Sequence, residues 1–600
     1  MLTRALLLLS LASSVAVAAT PPKKGTPAEA KAFVAKIDAE LRRLWVKGAT
    51  ADWIKATYIT DDTERNAAAA NEEISGYLAA AQKTATRFVG VKVDAETQRM
   101  LTLLHTAATL PAPADAKKRG ELATLAAKLE GMYGKGKYCR TSDPKSCRDL
   151  GDLEDLMAKS RNYDELLDAW VGWHAIARPM RAMFQRIVEL ANEGSREVGF
   201  MDTGAVWRSS YDMAPDAFDK ETDRLWQQVR PLYEQLHCYV RSQLSKTYGG
   251  KIPGKGPIPA HLLGNMWAQD WSNIYPLVEP YKGQASLDVT AELKKQGYDA
   301  TRLVKLGESF FTSMGLDPLP ATFWQRSQFL KPKDREVVCH ASAWDVQFAN
   351  DLRVKMCIKI DEDNLVTIHH ELGHDYYFHY YYTLPVLFQQ GANDGFHEAI
   401  GDALTLSITP AYLKKLNLIQ AVPSDQKGLI NFQMKNALEK IAFLPFGLLV
   451  DRWRWGVFSG KTKPEDYNKA WWALREQLQG VSPPAPRGDL EFDPGAKYHV
   501  PSNTPYMRYF LARILQFQFH RAMCRAAGWT GPLHECSVYG NKVAGEKLRA
   551  MLALGASKPW QEALFAMTGE KEMDATAILD YFKPLEAWLK EQNKGQTCGW

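Results

Sequence analysis

The chain has 600 residues, 46% hydrophobic and 24% charged, with 74 lysines and arginines against 69 aspartates and glutamates. A balance of +5 on so long a chain, with no long basic run, argues against nucleic acid as its main partner. The length is ample for a large core, and no stretch reads as a flexible linker, so one large domain or two fused lobes is expected.

Residues 1–19, MLTRALLLLSLASSVAVAA, read as a secretory signal peptide: Arg4 supplies the positive start, Ala5 to Leu11 are mostly apolar, and Ala16-Val17-Ala18 offers the cleavage site. The apolar run is shorter than the roughly 20 residues a membrane span needs, and no later segment is better suited. A soluble, exported chain follows, periplasmic or extracellular. Export permits disulfides, and short separations suggest Cys139–Cys147, Cys339–Cys357 and Cys524–Cys536. Cys238 and Cys598 are left over, and Cys238, in LYEQLHCYV, reads as a core thiol on a helix.

After the tether TPPKKGTP, apolar spacing is helical in AEAKAFVAKIDAELRRLW and in TERNAAAANEEISGYLAAAQKTATRF. The same period recurs in NYDELLDAWVGWHAIARPMRAMFQRIVELANE and in PYMRYFLARILQFQFHRAMCRAA. Strand candidates are few, chiefly REVVCHASAWDVQ and RVKMCIKI, which a Cys339–Cys357 bond would staple together. GKIPGKGPIPAH and VSPPAPRGDLEFDPGAK mark loops. The sequence therefore predicts a mainly α chain with a minor β-element just upstream of a histidine cluster.

That cluster, VTIHHELGHDYYFHY, contains His370-Glu371-Leu372-Gly373-His374, an H-E-x-x-H pattern. On a helix, positions i and i+4 lie about 40° apart, so both imidazoles can reach one ion. Neutral imidazoles suit Zn²⁺, and Glu371 then stands beside the metal without binding it. A catalytic zinc takes three protein ligands. The following segment, QGANDGFHEAIGDALTLS, breaks at Gly391 and Gly395 and restarts as a helix with His397, Glu398 and Asp402. Glu398 and Asp402 share a face, one to bind the ion and the other to orient a ligand histidine through its free N–H. From the residues alone the third ligand is open between Glu398 and His397, about 100° away around the helix, with Glu398 favoured.

HHELGHDYY followed by GANDGFHEAIGDALTLS resembles the angiotensin-converting-enzyme family of zinc peptidyl dipeptidases. VVCHASAWD, GPIPAHLLGNMWAQDW, KIAFLPFGLLVDRWRWGVF, GAKYHVPSNTPYMRYF and QFQFHRAMC extend the resemblance from about residue 30 to Trp600. It implies a large two-lobed helical zinc metallopeptidase with a deep central cleft, residues 20–600 forming one catalytic domain and residues 28–105 a helical lid. One Zn²⁺ would be held by His370, His374 and Glu398, with Asp402 behind them and His369 outside the set. Glu371 would move the proton, while His499 and Tyr509 would steady the oxyanion.

Gln269, Lys497 and Tyr506 would receive the free C-terminal carboxylate of a short peptide, a cation and two neutral donors being suited to it. The related mammalian carboxypeptidase carries arginine in place of Gln269, so Gln269 favours release of dipeptides. Ala341 and Ala343 would offer an edge to the extended substrate backbone, with His340 donating to a substrate carbonyl. Chloride is expected as an activator, at Tyr211 and Arg508. A second site at Trp471 and Arg475 should be weak, because His174 stands where the family has arginine. The competing expectations are a helical zinc endo-oligopeptidase and a secreted binding homologue without catalysis, though no ligand or base is missing.

Overall fold

A computed structural model describes residues 24–283, 289–422 and 425–600; the expected signal peptide, residues 1–19, lies outside the described residues. The helix Pro27–Thr57 starts where three local signals coincide. Thr26 accepts from the Glu29 N–H, Glu29 reaches back to the Thr26 N–H, and proline fills the first helical position. Thr60 caps Asp61–Ala85 through a reciprocal pair with Thr63. With Ala95–His105, these helices enclose an apolar cluster of their own that includes Val34, Leu41, Phe88, Met100 and Leu104. It closes on Val386–Phe388 and is tied down by Arg42, which donates to the Phe348 carbonyl at 2.6 Å and the Leu384 carbonyl at 3.2 Å.

The main core is built round Gln426–Phe458, a helix buried on nearly every side from Ile430 onward. Such a helix belongs in the middle of a large protein, not at its surface. Pro215–Tyr248, Met507–Ala526 and Thr576–Gln592 pack against it. The mainly α expectation holds. No helix among the described residues is long and apolar enough to cross a membrane.

The β-element is present but shorter than the sequence suggested. Ser342–Asp345 pairs antiparallel with Leu352–Lys355, with Ser342 opposite Lys355 and Ala343 opposite Val354. The ladder stops there because its neighbours bond elsewhere. The Val338 N–H donates to Ala56 in the first helix at 2.8 Å, while Lys355 Nζ takes the carbonyls of Val338 and His340. The two loops meet as well, Ile258–Pro259 pairing in parallel with Val481–Ser482.

All three expected disulfides are formed. Cys238 departs from its reading as a core thiol: it is bonded to Cys598 across 360 residues of sequence. The C-terminal tail lies along Pro215–Tyr248, where Arg241 donates to the carbonyls of Gly256, Thr597 and Gly599. No local spacing could reveal that pairing, since the tail is placed by packing.

Three helices set the geometry that follows: Glu362–Tyr381, Asp394–Thr405 and Met507–Ala526, stacked in that order. The first two nearly touch. A Cβ on Gly373 would fall 2.6 Å from the Gly401 Cα, and one on Gly401 would fall 2.5 Å from the His370 carbonyl oxygen. Gly401→Ala must therefore push the helices apart. Overpacking of this kind costs about 1–3 kcal/mol, against a helix-propensity gain of about 1 kcal/mol. A lower denaturation midpoint is expected, and an unchanged one would refute the contact.

Candidate active site

Asp361 caps the first of these helices by accepting from the Asn364 N–H at 2.8 Å, and Glu362 and Asp363 complement the positive helix end. Two turns on, His370 and His374 face Glu398 of the second helix. His370 Nε2 lies 3.2 Å from His374 Nε2 and 3.5 Å from Glu398 Oε2, and one donor atom from each residue falls within 4.8 Å of the others. A tetrahedral ion about 2.1 Å from each ligand needs donors roughly 3.4 Å apart. The donor set therefore fits zinc.

Each histidine is backed on its other nitrogen. His370 Nδ1–H donates to Asp402 Oδ1 at 3.0 Å, and Asp402 Oδ2 accepts from Arg513 at 2.7 Å. Behind His374, Nδ1 lies 3.2 Å from His397 Nδ1, and His397 Nε2 lies 3.0 Å from the Tyr381 hydroxyl. A ligand binding through Nε2 carries its proton on Nδ1. His397 then accepts from His374 and donates to Tyr381, so it stands behind a ligand position and not in it. His369 faces away, fully buried, its Nδ1–H donating to the Leu365 carbonyl at 2.8 Å.

The electrostatics suit a cation. Burial opposes charge on His370, but Asp402 and Glu398 outweigh it and push its pKa up to about 10. Burial likewise works against Glu398, yet His370 and His374 hold it down at about 2. Asp402 is buried too, and Arg513 and His370 keep it well below the usual carboxylate range. Glu371 is 7% exposed, and burial raises its pKa, with His370 opposing. That is the direction a proton carrier needs.

The half-buried strand Ser342–Asp345 packs against the helix that carries Glu371. Ala343 lies in the strand, and Ala341 precedes it by one residue. Lys355, buried behind, fixes the Val338 and His340 carbonyls, while the His340 ring is exposed with Nδ1 2.9 Å from the Ala341 carbonyl. A cavity of about 430 Å³ lies beside this strand and the first two helices, with Trp45, Trp344, Phe378 and Tyr381 in its walls.

His499 and Tyr509 come together, the tyrosine hydroxyl 3.4 Å from His499 Nε2. Burial, with Lys497, Arg454 and Arg508 nearby, drops the His499 pKa to about 2, so its ring is neutral. Asp451 organises this corner by accepting the Tyr506 and Met507 N–H groups, each at 2.7 Å, at the start of Met507–Ala526. Tyr506 donates to Gln269 Oε1 at 3.2 Å. Lys497 Nζ sits 4.0 Å from the Trp267 ring centre and 5.6 Å from that of Tyr506, and it has no ion pair among the described residues. Burial pushes its pKa down to about 7, against the pull of Glu154.

The residues matched to anion sites are placed differently. The Tyr211 hydroxyl and Arg508 Nε are buried with no hydrogen-bond partner among the described residues, beside a cavity of about 350 Å³ that also reaches Glu398. Arg508 Nη2 lies 3.1 Å from Asp394. Trp471 and Arg475 are buried together, but Arg475 donates to the Trp267 carbonyl at 2.9 Å. His174 donates from Nδ1 to the Trp170 carbonyl at 2.8 Å, and burial lowers its pKa to about 4. Sequence reasoning missed Lys355, Asp451 and Arg513, which sit in ordinary strand or helix patterns, and His397 was considered only as a ligand.

Fold and site define a mainly helical chain with a two-histidine, one-glutamate metal set. The family model described as angiotensin-converting enzyme matches residues 24–600, and the chain belongs to that family. It is 46% identical over 584 residues to the angiotensin-converting enzyme of Bos taurus, covering 96% of this chain and 44% of that protein. The enzyme of Rattus norvegicus matches at 44% identity with the same coverage. That of Theromyzon tessulatum is 45% identical over 80% of this chain and 78% of its own length. The chain thus spans about half the length of the first two relatives.

Lys497 carries a measurable cost. Between about 7 and its ordinary value of 10.5, the unfolded chain binds a proton that the folded chain does not, so stability rises with pH through that window. Below about 7 the native state bears the whole cost of the buried charge. At about 1.4 kcal/mol per pKa unit, Lys497→Met should stabilise the fold by on the order of a few kcal/mol at pH 6, with the gain fading towards pH 10. Denaturant titration at both pH values checks this, and equal stability of both proteins at pH 6 would refute it.

Proposed function

We propose that the protein is an exported zinc peptidyl dipeptidase, periplasmic or extracellular, acting on short peptides with a free C-terminus. The observation that carries the reading is Lys497, a buried lysine with no ion pair among the described residues, lying over the ring of Tyr506, which in turn bonds Gln269. A buried cation with two neutral neighbours is a receptor for a carboxylate. Four disulfides agree with an oxidising compartment. The helices between residues 28 and 105 would act as a lid over a cleft between two lobes, limiting access to unfolded peptides.

His370, His374 and Glu398 would hold zinc, which when bound would supply Lewis acidity to the scissile carbonyl and to the attacking water. Glu371 takes the proton from that water and delivers it to the leaving amine. The neutral His499 ring and the Tyr509 hydroxyl donate to the developing oxyanion. Ala341 and Ala343 present backbone groups to the extended peptide, and His340 turns its ring to a substrate carbonyl. Lys497, Tyr506 and Gln269 bind the terminal carboxylate, so the cut falls two residues from the end. Mass spectrometry of peptide-library products tests this: dipeptides are expected from free but not amidated C-termini, and single residues or internal cuts would overturn it. Glu371→Gln should lower kcat by about 10²–10⁴-fold.

Chloride would act chiefly at Tyr211 and Arg508 and only weakly at Trp471 and Arg475, where His174 is neutral. At the first site Asp394 already neutralises Arg508, so chloride competes with a carboxylate. A weak chloride response is expected in the native enzyme and a stronger one, at lower concentration, in Asp394→Asn. Activity indifferent to chloride in both proteins would sink the site.

A further inference from the structure

Met507–Ala526 is buried along most of its length, and Arg513 interrupts that run with a side chain 24% exposed. It follows Tyr509 by four residues, on the same face and one turn deeper. Its guanidinium joins two carboxylates from two other helices. Nη1 donates to Asp402 Oδ2 at 2.7 Å and Nη2 to Glu439 Oε1 at 3.3 Å, and the group lies 5.9 Å from the Phe443 ring centre.

A partly exposed ion pair alone contributes at most about 1 kcal/mol. The particular carboxylate makes this one different. Asp402 is the group to which His370 donates, and Arg513 is the only lysine or arginine paired with it among the described residues. A carboxylate held by one hydrogen bond can rotate and turn either oxygen to the imidazole. With Oδ2 held by Arg513, Oδ1 is committed to His370 Nδ1–H. Glu439, from the central helix Gln426–Phe458, holds the other arm of the guanidinium and fixes its plane.

We propose that Arg513 is a positioning residue of the metal centre: by clamping Asp402 between itself and His370, it aims His370 Nε2 at the ion and raises zinc affinity. The inference rests on reading His370, His374 and Glu398 as the zinc ligands. Losing an outer partner of a ligand histidine weakens metal binding by about 10–100-fold.

The test is zinc affinity by chelator competition on the full chain, with thermal denaturation of the metal-free proteins alongside. Arg513→Met should bind zinc about 10-fold more weakly or worse, and Arg513→Lys, which keeps a cation within reach of Asp402, should recover most of the loss. Arg513→Gln replaces Arg513→Met if the latter fails to fold. Zinc affinity within about twofold of the native protein, with only a lowered melting point, would reduce Arg513 to a structural ion pair and overturn the proposal. A native protein that binds no zinc, or zinc binding that survives His370→Ala, would instead overturn the ligand set, and this proposal with it.

Discussion

The site depends on two helix backbones meeting at Gly373 and Gly401. Imidazole and carboxylate side chains are short, so three of them can converge on one ion only if the helices carrying them almost touch. Any Cβ at either glycine would occupy the space of the opposing backbone. Asp394–Thr405 is also pressed on its other side, where a Cβ on Gly395 would fall 2.9 Å from the Leu511 Cβ. Interiors packed at this density transmit position faithfully, so Met507–Ala526, farthest in the stack, is coupled by packing to Glu362–Tyr381, which carries His370 and His374.

Charge is arranged along the same stack. Next to the donor set the anions Glu398 and Asp402 face His370, and Arg513 and Glu439 continue the alternation outward. A buried charge needs a partner, and here each pair joins two different helices. Lys497 departs from this pattern, buried against Trp267 and Tyr506 with no ion pair among the described residues. Its partner would arrive with the substrate, so the protein bears an electrostatic cost that binding relieves.

Much of the site was legible because its chemistry is local. Helical spacing puts His370 and His374 on one face, and the same spacing pairs Glu398 with Asp402. The caps at Thr26 and Thr60 likewise concern residues three apart. Legibility ended where a role is assigned across the fold. Arg513 reads as one more position in a core helix until Asp402 and Glu439 come beside it. His397 looked like a rival to Glu398, and its place behind His374 depends on how the two helices are rotated. The strands were read too long because the Val338 N–H bonds to a helix 282 residues earlier, at Ala56, and so leaves the ladder.

The sequence by itself determined the helical character, the H-E-x-x-H pair, three short-range disulfides and the family resemblance. All of these lie in periodicity or contiguous motifs, where chain geometry alone relates the residues. Tertiary structure decided the Cys238–Cys598 bond, the Asp394 carboxylate beside Arg508, and the Asp402–Arg513–Glu439 clamp. These contacts join residues dozens to hundreds of positions apart. Their distances come from helix packing and from the pairing of buried charge, which no local pattern encodes.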